Sequence, residues 1–261
     1  MRYQTKAGQI LPGAVALALL AAPLAAQVVA RMTEREAAAA LADGRLTPER
    51  ERAFALARNL GPRAGAELRG ETDRPEGSEA GFGYMDAVSR LRDPRAIPFL
   101  VEVLAYGTGA ANALADLAPE SFPAVLEAVS NPDENPLRVS TGLSMGLTAL
   151  RFMVEDGALA AGQVERVRGV ARERLSGTQQ YFPVKAAVRL ALALGNPELR
   201  EMVERVANDR AAAEALVSPY LPSGNLSEDP AGRVDRVQEE ARLFLSGGGA
   251  DIGPVRRPGS G

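Results

Sequence analysis

There is no cysteine, histidine or tryptophan anywhere in this 261-residue chain. Without cysteine there is no disulfide, no thiolate nucleophile and no site for attaching a lipid, so packing alone must hold the fold. Without histidine there is no imidazole base, no Ser-His-Asp triad and no histidine metal ligand. Aromatic residues make up only 5% of the chain, so stacking platforms of the kind that grip sugars or bases are scarce. A net charge of −3 gives no electrostatic basis for a nucleic-acid partner or an anionic membrane. Long apolar runs are also missing, with one exception at the start of the chain.

That exception has the layout of an export signal. Arg2 and Lys6 form a basic start, Ile10 to Ala26 carries no charge, and Ala25-Ala26 closes the run with small residues before Gln27. Leu24 stands where such signals usually place a smaller residue, and the cut is expected near Gln27. A buried helix or a retained anchor are the competing readings. Against the anchor, the run is shorter than the ~20 residues that span a bilayer comfortably, and Pro12 and Pro23 interrupt it. The expectation is a protein of the periplasm or the extracellular space, with no stable membrane insertion after the signal is removed.

What the chain has in quantity is Ala, Leu and Val at helical spacing; 46% of its residues are hydrophobic, enough to bury a core. One pattern recurs: an Ala-rich helix, a break ending in Pro, then a second amphipathic helix. It reads Leu91-Arg92-Asp93-Pro94 before Arg95, Leu117-Ala118-Pro119 before Glu120, and Leu194-Gly195-Asn196-Pro197 before Glu198. A repeated helix–turn–helix unit is the signature of an α-solenoid, in which each unit buries its apolar face on its neighbours.

The reading divides the chain into five parts. Residues 1–26 are the signal peptide, 27–80 are N-terminal helices and a loop that cap the array, and 81–217 are the solenoid of about four helix pairs. A linker and C-terminal helix follow over 218–246, and a tail at 247–261 is too poor in apolar residues to pack. Within the array the spacing predicts helices over 82–91 and 94–105, 110–117 and 119–129, 137–155 and 161–175, and 183–194 and 197–206. In the last helix, opened by Asp229-Pro230, Val234, Val237, Ala241 and Phe244 form an apolar stripe opposite Asp235, Arg236, Glu239 and Glu240. It is expected to cap the open end of the stack or to dock on a partner.

The stretches Val184–Pro197 and Leu91–Leu104 resemble the HEAT-like repeats named after the phycobilin lyases. There an Ala-rich helix ends in a Gly-Asp-Pro turn, and an Ala-Ile/Val-Pro-x-Leu run opens the next. The likeness is good over 93–104, fair over 114–129 and 183–206, and loose over 131–175. The resemblance implies an all-α solenoid scaffold. It implies no chromophore-lyase activity, since repeats of this type serve many unrelated proteins.

The candidate chemistry is thin. Asp93, Glu120 and Glu198 stand at expected helix N-termini, where a carboxylate complements the macrodipole. Asp133-Glu134-Asn135 offers oxygens but too few for a calcium loop, and Gly107-Thr108-Gly109 lacks the strand and lysine of a phosphate loop. Tyr181-Phe182 reads as a packing staple at a helix entrance. The sequence therefore names no catalytic residue, no metal ligand and no cofactor, and the expected role is a non-catalytic interaction scaffold. A carboxylate enzyme of the glycoside-hydrolase kind, or a structural subunit of an envelope assembly contacting through the C-terminal helix, are the alternatives. The one candidate binding feature is a row of cations. Arg138, Arg151, Lys185 and Arg189, with Thr141, are assigned to outer helix faces lining the concave side. They are either an ordinary solvated surface or a weakly basic groove for an acidic protein partner.

Overall fold

A computed structural model describes residues 88, 92–131, 136–221 and 223–247, with side chains left aside at 95, 106 and 136–139. The expected signal, the N-terminal helices at 27–80 and the tail from 248 lie outside these residues. Helix accounts for 75% of these residues and no strand is formed among them, so the described part of the protein is all-α. The described helices are α1 (Ile97–Glu102), α2 (Thr108–Asp116), α3 (Phe122–Ser130), α4 (Pro136–Glu155), α5 (Ala161–Ser176), α6 (Tyr181–Ala193), α7 (Pro197–Asn208), α8 (Arg210–Leu216) and α9 (Pro230–Leu245). Turns of 3₁₀ helix at Pro94–Ala96 and Leu104–Tyr106 flank α1.

The recurring break has a physical basis. At the end of α6, Gly195 takes a left-handed backbone (φ 59°). Asn196 then caps α7, its side chain accepting the Leu199 N–H at 3.1 Å, and Pro197 occupies the first helical position. The first copy of the break repeats this with Arg92 at the glycine position, also left-handed (φ 50°), which for an L-residue costs roughly 1–2 kcal/mol. Leu117-Ala118-Pro119 has no residue to spare for a left-handed position. There the chain runs through a turn, the buried Ser121 hydroxyl donates to the Leu114 carbonyl, and α3 begins at Phe122, three residues after the expected start. Glu120 therefore sits in the turn outside α3, whereas Glu198 does lie in the first turn of α7.

Two further boundaries differ from the sequence reading. The helix expected over 94–105 is broken into two 3₁₀ turns around the short α1. A helix not expected, α8, follows α7 directly, because Asp209 accepts from the N–H groups of Ala211 and Ala212 and starts an Ala-rich turn. The other expected helices, α4, α5, α6, α7 and α9, fall within about two residues of their expected bounds. Asp229 caps α9, accepting the Gly232 N–H at 2.8 Å.

Each helix packs mainly on neighbours one or two helices away, and α6 also packs on α9, three away, past the short α8. α2 packs on α4, α4 on α6, and α6 on α9, while α1 packs on α3, α3 on α5, and α5 on α7. Successive helices join the two rows, with α7 against α9 and the short α8 beside both. The shared core includes Leu100, Leu114, Leu147, Leu150, Leu190 and Leu199, all fully buried. At the α3–α4 contact, a Cβ added at Gly146 meets the Val129 side chain at 2.5 Å, so the close approach of these helices requires glycine there. Buried polar side chains complete helix ends within a row and between the rows. Arg174 of α5 donates to the Val129 carbonyl in the last turn of α3, and Gln238 of α9 donates to the Val206 and Ala207 carbonyls in the last turn of α7.

Candidate functional site

Tyr181, Lys185 and Arg189 recur every four residues along α6 and form a single stripe on that helix. Arg233, Arg236, Glu240 and Phe244 do the same along α9 at spacings of three and four. The two helices pack together, and the stripes meet in ascending order, so α6 and α9 run in the same direction. The guanidinium carbons of Arg233 and Arg236 lie 5.4 and 5.7 Å from the centre of the Tyr181 ring, and Lys185 Nζ lies 5.2 Å from it. Further along, Lys185 Nζ and an Arg189 terminal nitrogen both stand 2.6 Å from the Glu240 carboxylate, one on each oxygen. Arg189 also lies over the Phe244 ring at 4.9 Å.

The environment is largely dry in the middle and open at one end. The Arg189 and Glu240 side chains are each 10% exposed, against 25% for Lys185. Arg189 Nε and Glu240 Oε1 make no hydrogen bond despite the short approach of their groups, so that contact is mainly charge on charge. On α4, Arg151 stands 3.7 Å from Glu155 and over the Phe152 ring. Burial lowers the Arg151 pKa; Glu155 acts the other way, and the nearby charge of Arg189 adds to the lowering. At the open end Arg236 has its pKa raised, first by a hydrogen bond with the Tyr181 side chain and then by Asp229, which it meets at 3.3 Å.

The structure brings three of the four predicted cations, Arg151, Lys185 and Arg189, onto helices of one packed row. The Arg138 side chain lies outside the described part. The assignment to outer, solvated faces is corrected: Arg151 and Arg189 are mostly buried, and Arg189 is covered by α9, which lies along α6. An acidic group already meets two of the cations, and it is the chain's own Glu240. The polar stripe expected on α9 is corrected at the same point, since Glu240 is buried while Asp235, Arg236 and Glu239 remain exposed. The staple reading of Tyr181-Phe182 holds for Tyr181, which packs on the core, but Phe182 is 56% exposed. Arg233, Arg236 and Glu240 were missed as members of this cluster. Their three- and four-residue spacing was visible in the sequence; their facing Tyr181, Lys185 and Arg189 was not.

Among the described residues no group of three acidic side chains is placed to hold a metal ion, and no helix is long and apolar enough to cross a membrane. The loop at 133–135 lies outside the described residues. No family model, curated protein or solved structure matches this chain.

Proposed function

We propose that this chain is an exported α-solenoid of HEAT-like helix pairs, working in the periplasm or outside the cell as a non-catalytic scaffold that holds an acidic partner protein. The observation that carries the reading is a local surplus of positive charge in an acidic chain. Among the described residues around α4, α6 and α9, Arg151 pairs with Glu155, Lys185 and Arg189 share Glu240, Arg236 pairs with Asp229, and Arg233 contacts no carboxylate, so five cations stand against three carboxylates. A surplus of one sign on one face steers a partner of the other sign and fixes its register more than it adds raw affinity. The alternation of packing in two rows, with α6 and α9 parallel, supports the solenoid. Export rests on the basic and apolar start of the sequence.

The alternative in which the C-terminal helix is the contact surface of an envelope subunit fits less well. Val234, Val237 and Ala241 are buried, so the apolar stripe of α9 is already used inside the molecule.

Three measurements test the proposal. Protein recovered from its native host should show by intact mass a chain beginning near Gln27; full-length protein in the cytoplasm refutes export. Small-angle scattering should give a curved, elongated profile; a compact, sphere-like one refutes the solenoid. A partner captured by the tagged mature chain from the host envelope fraction should then bind as purified protein with an affinity that falls as salt rises. Salt-independent binding refutes the electrostatic reading.

A further inference from the structure

The open end of the cationic row continues into an exposed apolar surface. Phe182 is 56% exposed, Tyr220 52% and Leu226 61%, each a large side chain left in water. They are linked by short contacts. The Phe182 and Tyr181 ring centres are 5.1 Å apart, Arg233 lies over the Tyr181 ring and donates to the Tyr220 carbonyl at 3.3 Å, and Tyr220 forms a β-bridge with Leu226. The loop carrying Tyr220 and Leu226 is itself fastened. Leu221 donates to the Asn225 carbonyl, Ser227 to that of Pro219, and Ser218 to that of Gln179 just ahead of α6. The aromatic groups are thus held in place rather than displayed on a loose loop.

Two arginines lie on the neighbouring Tyr181 ring. Arg233 is 93% buried by its 7% exposure, and among the described residues its contacts are a carbonyl and an aromatic ring, with no carboxylate. Burying a cation without a counter-ion is costly, and an anion brought to the adjacent surface recovers part of that cost. Arg236, half exposed, stands beside it on the Tyr181 ring and pairs with Asp229 at 3.3 Å. Glu240 meanwhile already occupies the middle of the row, on Lys185 and Arg189. At the aromatic end, by contrast, Arg233 is the cation that no carboxylate meets among the described residues, so an incoming carboxylate gains most there.

We propose that Phe182, Tyr220 and Leu226, with Arg233 and Arg236 on the adjoining Tyr181 ring, form the docking surface of the scaffold, and that its occupant is an extended acidic segment of a partner protein carrying a carboxylate next to a bulky apolar side chain. Aromatic and arginine side chains at one spot are the combination that dominates interface energetics. The inference rests on the acidic-partner reading above and places the contact at one end of the row.

The test uses a displayed library of random dodecapeptides selected on the full mature chain, with the enriched sequences resynthesised and measured by fluorescence anisotropy. Enriched peptides are expected to combine Asp or Glu with Phe, Tyr, Trp or Leu. Their affinity should fall about tenfold or more in the double variant Phe182→Ser, Tyr220→Ser, and also in Arg236→Glu, while helix content and melting temperature stay unchanged. All three substitutions are at exposed positions, so the variants should fold. Acidic peptides that bind Phe182→Ser, Tyr220→Ser as well as the parent overturn this surface and leave the acidic-partner reading standing. No enrichment, or neutral or basic peptides indifferent to salt, overturns both. Concentration-dependent dimerisation in sedimentation that Phe182→Ser abolishes assigns the patch to self-association and overturns the inference as well.

Discussion

Changing Glu240 to Gln keeps the shape of the side chain and removes its charge from between Lys185 and Arg189. At 2.6 Å, and an effective dielectric of about 20, each ionic contact carries roughly 6 kcal/mol of gross attraction. Most of that is cancelled by the cost of taking the groups out of water, so the gross figure is not the effect of the mutation. What matters is the two cations left behind. Lys185 is a quarter exposed and can turn its flexible stem toward water, recovering much of its hydration. Arg189 is held at 10% exposure against Phe244 and cannot. Removing one partner of a buried pair costs about 3–5 kcal/mol, and with Lys185 able to escape the expected loss is near the lower figure, about 3 kcal/mol. Urea unfolding monitored by far-UV circular dichroism measures it from the midpoint and slope. The triple variant Lys185→Met, Arg189→Met, Glu240→Leu should recover stability to within about 1 kcal/mol of the parent, since an apolar replacement leaves no charge unpaired. A loss below about 0.5 kcal/mol in Glu240→Gln would refute the claim that α9 is locked to α6 by this carboxylate.

Leu147, fully buried on α4, should cost about 2–5 kcal/mol on replacement by Ala, and a change of a few tenths in the same urea assay would mean the wrong face has been placed inward. Gly146→Ala should destabilise by about 1–3 kcal/mol despite the better helix propensity of Ala, because its Cβ meets the stiff Val129 side chain at 2.5 Å; adding Val129→Ala should relieve that clash, so the double variant should lose less than the two single losses summed. The exposed pair Arg172–Glu198, bidentate at 2.7 Å, holds the Glu198 pKa below its ordinary value through the hydrogen bond from Arg172. A carboxylate depressed in the folded state adds stability above its unfolded pKa and loses it as pH falls through the folded value. In Arg172→Ala the Glu198 titration followed by NMR should therefore move upward, and an unmoved titration would show that the pair does not form in solution.

The helices were legible because their causes are local. Apolar spacing and the breaks at Asn196-Pro197 and Asp229-Pro230 placed α4, α5, α6, α7 and α9, and Val184, Ala187, Val188, Ala191 and Leu194, which share a helical face, are all buried. Local reasoning failed where the determining partner lay elsewhere. The start of α3 depends on a hydroxyl of Ser121 reaching back to Leu114. The missed α8 is a different case: its cap at Asp209 is local, but no strong apolar period accompanies it. The interaction-scaffold role and export remain readings of composition and of the N-terminal pattern.

The site divides along the same line. The sequence reading grouped Arg138, Arg151, Lys185 and Arg189, and four-residue spacing places Lys185 and Arg189 on one face whatever surrounds the helix. Which way that face points was decided only in three dimensions. Burial is a property of pairs of helices, and α9, far along the chain, lies on α6 and carries Glu240 between the two cations. The same packing gathers three cations around Tyr181 and leaves Phe182 in water. Periodicity determines which residues share a stripe; only the packing of one stripe on another determines which charges are met inside the molecule and which are left for a partner.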